Sequence, residues 1–146
     1  MTPESAGGAF RDAVNSQIAL LRAGQPLEAF DRFFAPTGVM LANGAVFASD
    51  AAQARQKQEP FMTAAASIAG SIVDLACSDA TETCVFRNTS SFTTTDGATH
   101  KIDGLCWQRW ENARIVEERY FDGEQMRSLV ANGILLKPEM LLDQPA

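Results

Sequence analysis

The apolar positions in the first third of the chain recur with helical spacing. One stripe of this kind consists of Phe10, Val14, Ile18 and Leu21. Gly24 follows as a C-terminal stop, and Pro26, a residue favoured in the first helical turn, opens a second helix that ends at Pro36. Ser49-Asp50 supplies a cap and a first-turn carboxylate for a third helix over about 51–59. The pattern therefore predicts three N-terminal helices.

From Ser67 onward the pattern alternates with a period of two, which is typical of strands. It predicts strands over about 67–77, 82–95, 98–111 and 114–121. An Asn43-Gly44 pair between two short apolar segments predicts an earlier hairpin, and a short helix is expected from Glu124 to Ala131. Helices followed by a long meander predict an α+β fold, in which the helices cover one face of a curved antiparallel sheet.

The chain has 146 residues, which fits one domain. Residues 1–9 are small and polar, so we expect a flexible N-terminus. The domain itself is predicted over 10–132. The extension over 133–146 is too apolar for a free tail, and we expect it to pack on the domain or on a partner subunit.

Composition narrows the classes of partner. The chain has 12 Lys plus Arg and 18 Asp plus Glu, a net charge of −6, which argues against a nucleic-acid partner. No apolar stretch approaches the ~20 residues of a membrane span, and the N-terminus does not resemble a signal peptide. We therefore expect a soluble cytoplasmic protein that contacts neither nucleic acid nor membrane.

The cysteines and the single histidine predict neither a metal site nor another cofactor. Cys77, Cys84 and Cys106 are odd in number and form no Cys-x-x-Cys motif, which favours buried thiols in a reducing compartment. A bridge between Cys77 and Cys84 across a hairpin is the alternative. With one histidine in the chain, a zinc site would need an unusual set of ligands.

Alternation along the strands sorts the side chains into two faces. The face without Lys or Arg, which carries Phe86, Ile102 and Val116, is expected to lie under the helices, because an unpaired buried charge is costly. The opposite face mixes charges of both signs with large apolar groups. Its residues are Lys101, Asp103, Leu105, Trp107, Arg109, Glu117, Arg119 and Phe121. This composition predicts a homodimer through the outer sheet face.

The inner face also carries polar groups, which predicts an apolar cavity of the kind that binds a small hydrophobic molecule. The side chains expected to contact such a ligand are Gln17, Phe34, Phe86, Asn88, Ser90, Cys106 and Tyr120.

Three side chains are candidates for proton transfer in this cavity. His100 is one, since imidazole exchanges protons readily near neutral pH, although a half-exposed position at a sheet end is the alternative. Asp122 is a candidate general base or, alternatively, the N-cap of the following helix. Glu118 is the deeper carboxylate, and its burial would require a hydrogen-bonding partner.

Several segments together resemble the nuclear transport factor 2-like superfamily, and its SnoaL-like branch in particular. They are the Pro-Leu-Glu-Ala-Phe-Asp-Arg-Phe-Phe stretch at 26–34, the Asn-Gly hairpin, the helix at Asp50 and the stretch 107–122. The resemblance implies a cone-shaped α+β fold with one deep pocket, and a dimer formed through the outer sheet face. Members of the superfamily include isomerases, dehydratases, cyclases and proteins without catalytic activity.

Comparison of single positions with that superfamily argues against some activities. Ketosteroid isomerases need a tyrosine, an aspartate and an acidic group where this chain has Gln17, Leu41 and Cys106, which argues against this activity. The Asp-Arg-Asp set of limonene-epoxide hydrolases is not found. SnoaL-like cyclases use a pocket aspartate with a nearby histidine, which Asp122 and His100 match in type.

Two functions therefore stay open. One is a cofactor-independent acid/base enzyme acting on a small apolar carbonyl compound. The other is a non-catalytic small-molecule-binding or regulatory dimer.

Overall fold

The computed structural model describes residues 4–143, in which helices and strands are arranged as an α+β fold. The helices are α1 Glu4–Arg22, α2 Pro26–Phe33, α3 Ala51–Ala64 and α4 Gly123–Ala131, followed by a 3-10 helix at Pro138–Asp143. The strands are β1 Phe34–Ala42, β2 Ala45–Ala48, β3 Ala65–Ala69, β4 Ile72–Ser78, β5 Thr83–Asn88, β6 Ser91–Thr94, β7 Thr99–Lys101, β8 Gly104–Glu111 and β9 Arg114–Asp122. None of the helices described is both long and apolar enough to cross a membrane.

The three predicted N-terminal helices are present, with three differences in their bounds. α2 ends at Phe33 rather than at Pro36, which lies in β1. α1 begins at Glu4 rather than at Phe10, so residues 4–9 of the predicted flexible N-terminus are helical, while residues 1–3 lie outside the described range. α3 continues through Pro60 to Ala64 instead of ending near residue 59. The Thr63 hydroxyl donates back to the carbonyl oxygen of Glu59, one turn earlier in the helix, at 3.0 Å.

Each of the first three predicted long strands is divided into two. Residues 67–77 form parts of β3 and β4, and the next two strands divide between residues 88 and 91 and between residues 101 and 104. The first break is at Gly70, where a Cβ atom would lie 2.0 Å from the carbonyl oxygen of Leu21. The pieces form two sheets, one ordered β2-β1-β9-β8-β5-β4 and the other β3-β6-β7.

The six-stranded sheet is mixed rather than purely antiparallel. β9 lies between β1 and β8, parallel to β1 and antiparallel to β8. A parallel pair needs a long connection, and here the whole meander separates the two strands along the chain. The predicted α+β class and the helices over one sheet face are confirmed. The prediction of a purely antiparallel sheet was wrong, because β1 runs parallel to β9.

A bulge in β9 changes one predicted inner-face residue. Arg109 pairs with Glu117 and Trp110 pairs with Ile115, so Val116 is the extra residue of β9. Ile115 is buried and takes the inward position that alternation had assigned to Val116.

The outer face of the sheet is covered in part by the chain itself. We call residues 133–143 the C-terminal segment. Its buried side chains Ile134 and Leu141 pack with Trp107 and Phe121, and the Trp107 Nε1–H donates to the carbonyl oxygen of Pro138 at 2.7 Å. The C-terminal segment therefore packs on the domain, the first of the two predicted alternatives, while residues 144–146 lie outside the described range.

This packing makes Trp107 unavailable to a second copy of the chain. The charged part of the outer face is present as predicted, with Glu117 Oε2 accepting from Arg119 Nε at 2.6 Å. Glu117 Oε1 also accepts from Arg109 Nε at 3.3 Å. A homodimer through this face stays a prediction.

We predict that the C-terminal segment stabilises the fold of the chain on which it packs. Ile134 is fully buried, so Ile134→Ala should lower the free energy of unfolding by about 2–4 kcal/mol in urea denaturation. Leu136 is 93% exposed and provides the control, since Leu136→Ala should change that free energy by less than about 0.5 kcal/mol. Equal effects of the two variants would contradict this packing.

Candidate functional site

A cavity of about 750 Å³ lies between the N-terminal helices and the inner face of the six-stranded sheet. This volume is in the range of small-molecule sites, ~300–1,000 Å³. Most of its wall is apolar, and the phenylalanines that line it are Phe30, Phe34, Phe47, Phe61, Phe86 and Phe92. The rings of Phe30 and Phe34 stack at 4.7 Å between centroids. A cavity is thus present at the inner face, and the binding of a small molecule in it stays a prediction.

One hydrogen-bonded cluster supplies the deepest polar groups of this cavity. Gln108 of β8 faces Glu118 of β9, and its Nε2 donates to Glu118 Oε1 at 2.6 Å and to Gln17 Oε1 at 2.7 Å. In return Gln17 Nε2 donates to Gln108 Oε1 at 3.0 Å. Gln108 Oε1 accepts further from Trp110 Nε1 at 3.2 Å and from Cys84 Sγ at 3.4 Å. The buried amide of Gln108 is therefore fully satisfied.

Glu118 is half-buried in the cavity wall, and only one of its carboxylate oxygens is hydrogen-bonded within the described residues. Burial among apolar groups raises the pKa of its carboxyl group, and the hydrogen bond from Gln108 opposes that rise in part. Oε1 is held by Gln108, whereas Oε2 has no hydrogen-bonding partner within residues 4–143. Because Glu118 lines the cavity, this second oxygen is available to a ligand.

Tyr120 lies beside Glu118 on the same face of β9 and also lines the cavity. Its ring lies against Gly104, where a Cβ atom would be 2.1 Å from Tyr120 Cε1, so only glycine leaves room for this ring. Burial and then the nearby Cys106, Asp122 and Asp103 raise the Tyr120 pKa to about 12. The hydroxyl is protonated at ordinary pH and can donate to a ligand oxygen.

The cysteines are free thiols. Cys77 and Cys84 face each other across β4 and β5 without a bridge between them. Cys106 lines the cavity, and burial raises its pKa well above the ordinary value, as it also does for Cys84. Cys106 is therefore a neutral, polarisable part of the wall rather than an activated nucleophile.

His100 lies outside the cavity. It is exposed on β7 of the three-stranded sheet, and its imidazole stacks on Phe92 at 5.0 Å between ring centroids. Alternation had placed it on the inner face, but the break between residues 101 and 104 moves β7 into a different sheet from β8. Of this stacked pair, Phe92 is the member that reaches the cavity.

Asp122 lies at the rim of the cavity, where β9 ends and α4 begins. Its Oδ1 accepts from Asn43 Nδ2 at 2.9 Å, and its backbone N–H donates to Asn43 Oδ1 at 3.0 Å. It occupies the N-cap position of α4, but its side chain makes no capping hydrogen bond. Asp122 thus joins the Asn43 turn to the start of α4.

Of the other predicted ligand contacts, some line the cavity and one does not. Gln17, Phe34, Phe86, Asn88 and Cys106 line the cavity. Ser90 is buried away from it, and its hydroxyl accepts from the backbone N–H of Ser71 at 2.9 Å, which secures the chain between β5 and β6.

The sequence interpretation missed much of the apolar lining and three polar lining residues, Lys57, Gln58 and Gln108. Gln108 could have been predicted, because it is a polar residue two positions after Cys106 and therefore lies on the same inner face of β8. Lys57 could not have been predicted, since charged residues are expected on α3. Its Nζ donates to the carbonyl oxygen of Phe47 at 2.6 Å and lies 5.1 Å from the centroid of the Phe47 ring.

No family model and no curated protein matches the sequence at a significant level. Solved structures do match. A nuclear transport factor 2-like protein of unknown function from Burkholderia pseudomallei is 14% identical over 84% of this chain and 95% of its own, with a TM-score of 0.61. A proposed SnoaL-like polyketide cyclase from Jannaschia is 8% identical over 91% of this chain and 96% of its own, with a TM-score of 0.63.

A third structure, TerC co-crystallised with polyporic acid, is 12% identical over 84% of this chain and 98% of its own, with a TM-score of 0.60. Identities this low establish the fold and not the activity. The chain therefore has the nuclear transport factor 2-like fold that the sequence resemblance implied.

We predict that Glu118→Gln stabilises the protein near neutral pH. The raised pKa means that the unfolded chain releases the Glu118 proton at a lower pH than the folded chain. The wild type therefore loses stability as pH rises from the ordinary glutamate value, ~4.3, through the raised folded value. Chemical denaturation at several pH values should show a smaller loss in the variant, whereas Glu124→Gln, which changes an exposed carboxylate, should retain the wild-type slope.

Tyr120 allows a second titration, because it is the only tyrosine of the chain. In the folded protein the ultraviolet absorbance of tyrosinate should reach half its final value near pH 12. The unfolded chain ionises at ~10, so stability should fall as pH rises above that value, and Tyr120→Phe should reduce this alkaline loss. Ionisation at the ordinary tyrosine value in protein that is still folded would contradict the described burial.

Proposed function

We propose that the cavity binds a small, mostly apolar molecule with a carbonyl or hydroxyl oxygen, and that Glu118 transfers a proton to or from it. The observation that carries this proposal is the position of the Glu118 carboxyl. One oxygen is fixed by Gln108, while the other lacks a partner within the described chain and belongs to a largely apolar wall. A carboxyl with a raised pKa in such a place is suited to general acid/base chemistry.

Proton abstraction next to a carbonyl is the reaction that these groups support best. The Glu118 carboxylate would take a proton from the carbon beside the carbonyl, while the Tyr120 hydroxyl donates a hydrogen bond to the carbonyl oxygen as negative charge develops there. The protonated Glu118 would then return the proton to another atom of the same molecule. The cycle is isomerase- or cyclase-like: Glu118 carries the proton in both directions, and Tyr120 stabilises the developing charge without giving up its own proton.

The aromatic lining indicates the kind of ligand. Several phenylalanine rings and a cavity of about 750 Å³ suit a flat molecule of two or three fused or linked rings. The co-crystallisation of TerC with polyporic acid and the proposed cyclase from Jannaschia agree with such a ligand class, although neither sequence is close to this one.

A non-catalytic binding protein is the second candidate. It is favoured by the reciprocal hydrogen bonds of Gln17 and Gln108, which leave neither amide needing a ligand. In this case the cavity would hold a hydrophobic molecule, and Glu118 and Tyr120 would only orient it.

The bicyclic ketone 2-tetralone provides a test that does not require knowledge of the natural substrate. Binding is measured by ligand-observed nuclear magnetic resonance, and exchange of the protons beside the carbonyl is followed in deuterium oxide. We expect the wild type to accelerate exchange, and Glu118→Gln to lose this acceleration by roughly 10²-fold or more. Tyr120→Phe should lose a smaller part of it, because it removes one hydrogen bond to the developing charge.

Glu117→Gln is the matched control, since Glu117 is the neighbouring carboxylate on the opposite face of β9. In folded protein it should leave the exchange rate unchanged. Binding of 2-tetralone without accelerated exchange would favour the non-catalytic candidate. An equal loss in both glutamate variants would remove Glu118 from the mechanism.

A further inference from the structure

The orientation of the Gln108 amide decides which group it presents to Glu118. As described, its nitrogen donates to Glu118 Oε1 and its oxygen accepts from Trp110. Turning the amide by half a rotation would exchange the two atoms. Glu118 would then face a carbonyl oxygen, which repels a carboxylate but accepts a hydrogen bond from a protonated carboxylic acid.

Among the partners of Gln108, Trp110 is the one that can select between these orientations. Gln17 is also an amide, so it can turn together with Gln108 and keep both reciprocal hydrogen bonds. The Cys84 thiol can donate or accept. An indole N–H can only donate, so with the amide turned it would face the nitrogen of Gln108, another donor.

We propose that the Trp110 N–H fixes Gln108 with its nitrogen toward Glu118, and thereby places the exchangeable proton of Glu118 on Oε2, the oxygen available to the cavity. Gln108 and Trp110 are positioning residues in this arrangement, since they act through Glu118. The inference deepens the proposed function, on which its catalytic meaning rests, because it names the oxygen that gives and takes the proton.

The other groups around Glu118 do not fix the position of its proton in place of Gln108 and Trp110. The titratable neighbours are Cys84 on β5, Cys106 on β8 and Tyr120 on β9. Burial raises the pKa of each of these three, which keeps them neutral. Lys57 on α3 is the cation of the same cavity wall, and it is bound to the carbonyl oxygen of Phe47. A substitution of Trp110 changes none of these side chains.

Trp107 offers a matched control on the same strand. Both tryptophans are 1% exposed and both donate through Nε1, but Trp107 donates to Pro138 on the opposite face of β8. Trp107→Phe therefore removes an equivalent hydrogen bond and leaves the Gln108 cluster intact.

The experiment measures the proton affinity of Glu118 in the ligand-free protein, by carboxyl carbon chemical shifts of ¹³C-labelled glutamate, with Glu118→Gln assigning the signal. Trp110→Phe should raise that affinity roughly three- to tenfold, because the freed amide can turn and accept from the protonated acid. Trp107→Phe should leave it unchanged. If Trp110→Phe does not fold, a benzothiophene analogue of tryptophan at position 110 keeps the ring and removes only the N–H.

Whether the proton affinity of Glu118 rises or falls in Trp110→Phe distinguishes the positioning role of Trp110 from a merely structural one. A loosened core would admit water, relieve the burial of Glu118 and lower its proton affinity. A decrease, no change, or an equal change in both tryptophan variants would overturn the proposal. Because no ligand is used, this result is independent of the proposed function, which fails separately if 2-tetralone neither binds nor exchanges.

Discussion

A carboxyl group inside an apolar cavity is the constraint around which the interior of this protein is arranged. Glu118 must be hydrogen-bonded to be tolerated there, and the bond comes from Gln108. A buried amide needs partners of its own, and α1, β5 and β8 supply them through Gln17, Cys84 and Trp110. This carboxyl group thus accounts for Gln17 and Gln108, two of the four buried polar residues of the described chain.

Strand β8 connects this interior to the outer surface of the molecule. Its alternation directs Gln108 and Trp110 toward the face that the helices cover and Trp107 toward the C-terminal segment. Both faces of the strand are therefore buried, although only one contributes to the site. This double burial holds the backbone of β8 from two sides, which favours a fixed geometry for the cluster.

The sequence predicted those features that depend on interactions between residues close together in the chain, and it missed those that join distant segments. Helical stripes, the Asn43-Gly44 hairpin and the inward set of Gln17, Phe86 and Glu118 depend on local spacing, and all of these were predicted. The parallel pairing of β1 with β9 is a long-range arrangement that no local pattern encodes. For His100 the sequence left two positions open, and the structure has the second, an exposed site on a strand of the smaller sheet. Alternation alone could not decide between them, because the chain changes sheets between β7 and β8. Gln108 was placed correctly, but its partnership with Glu118 depends on cross-strand register, which a single strand does not reveal.

The insertion of β9 between β1 and β8 has a consequence for how the chain acquires its fold. The first strand of the main sheet cannot be enclosed on both sides until residues near 122 have been synthesised, because its parallel neighbour comes last among the strands. Until then the apolar stripe of α1 lacks much of the surface on which it packs. Such distant pairing slows folding. During synthesis it also leaves the apolar faces of the N-terminal helices exposed, where chaperones can bind them or two chains can associate.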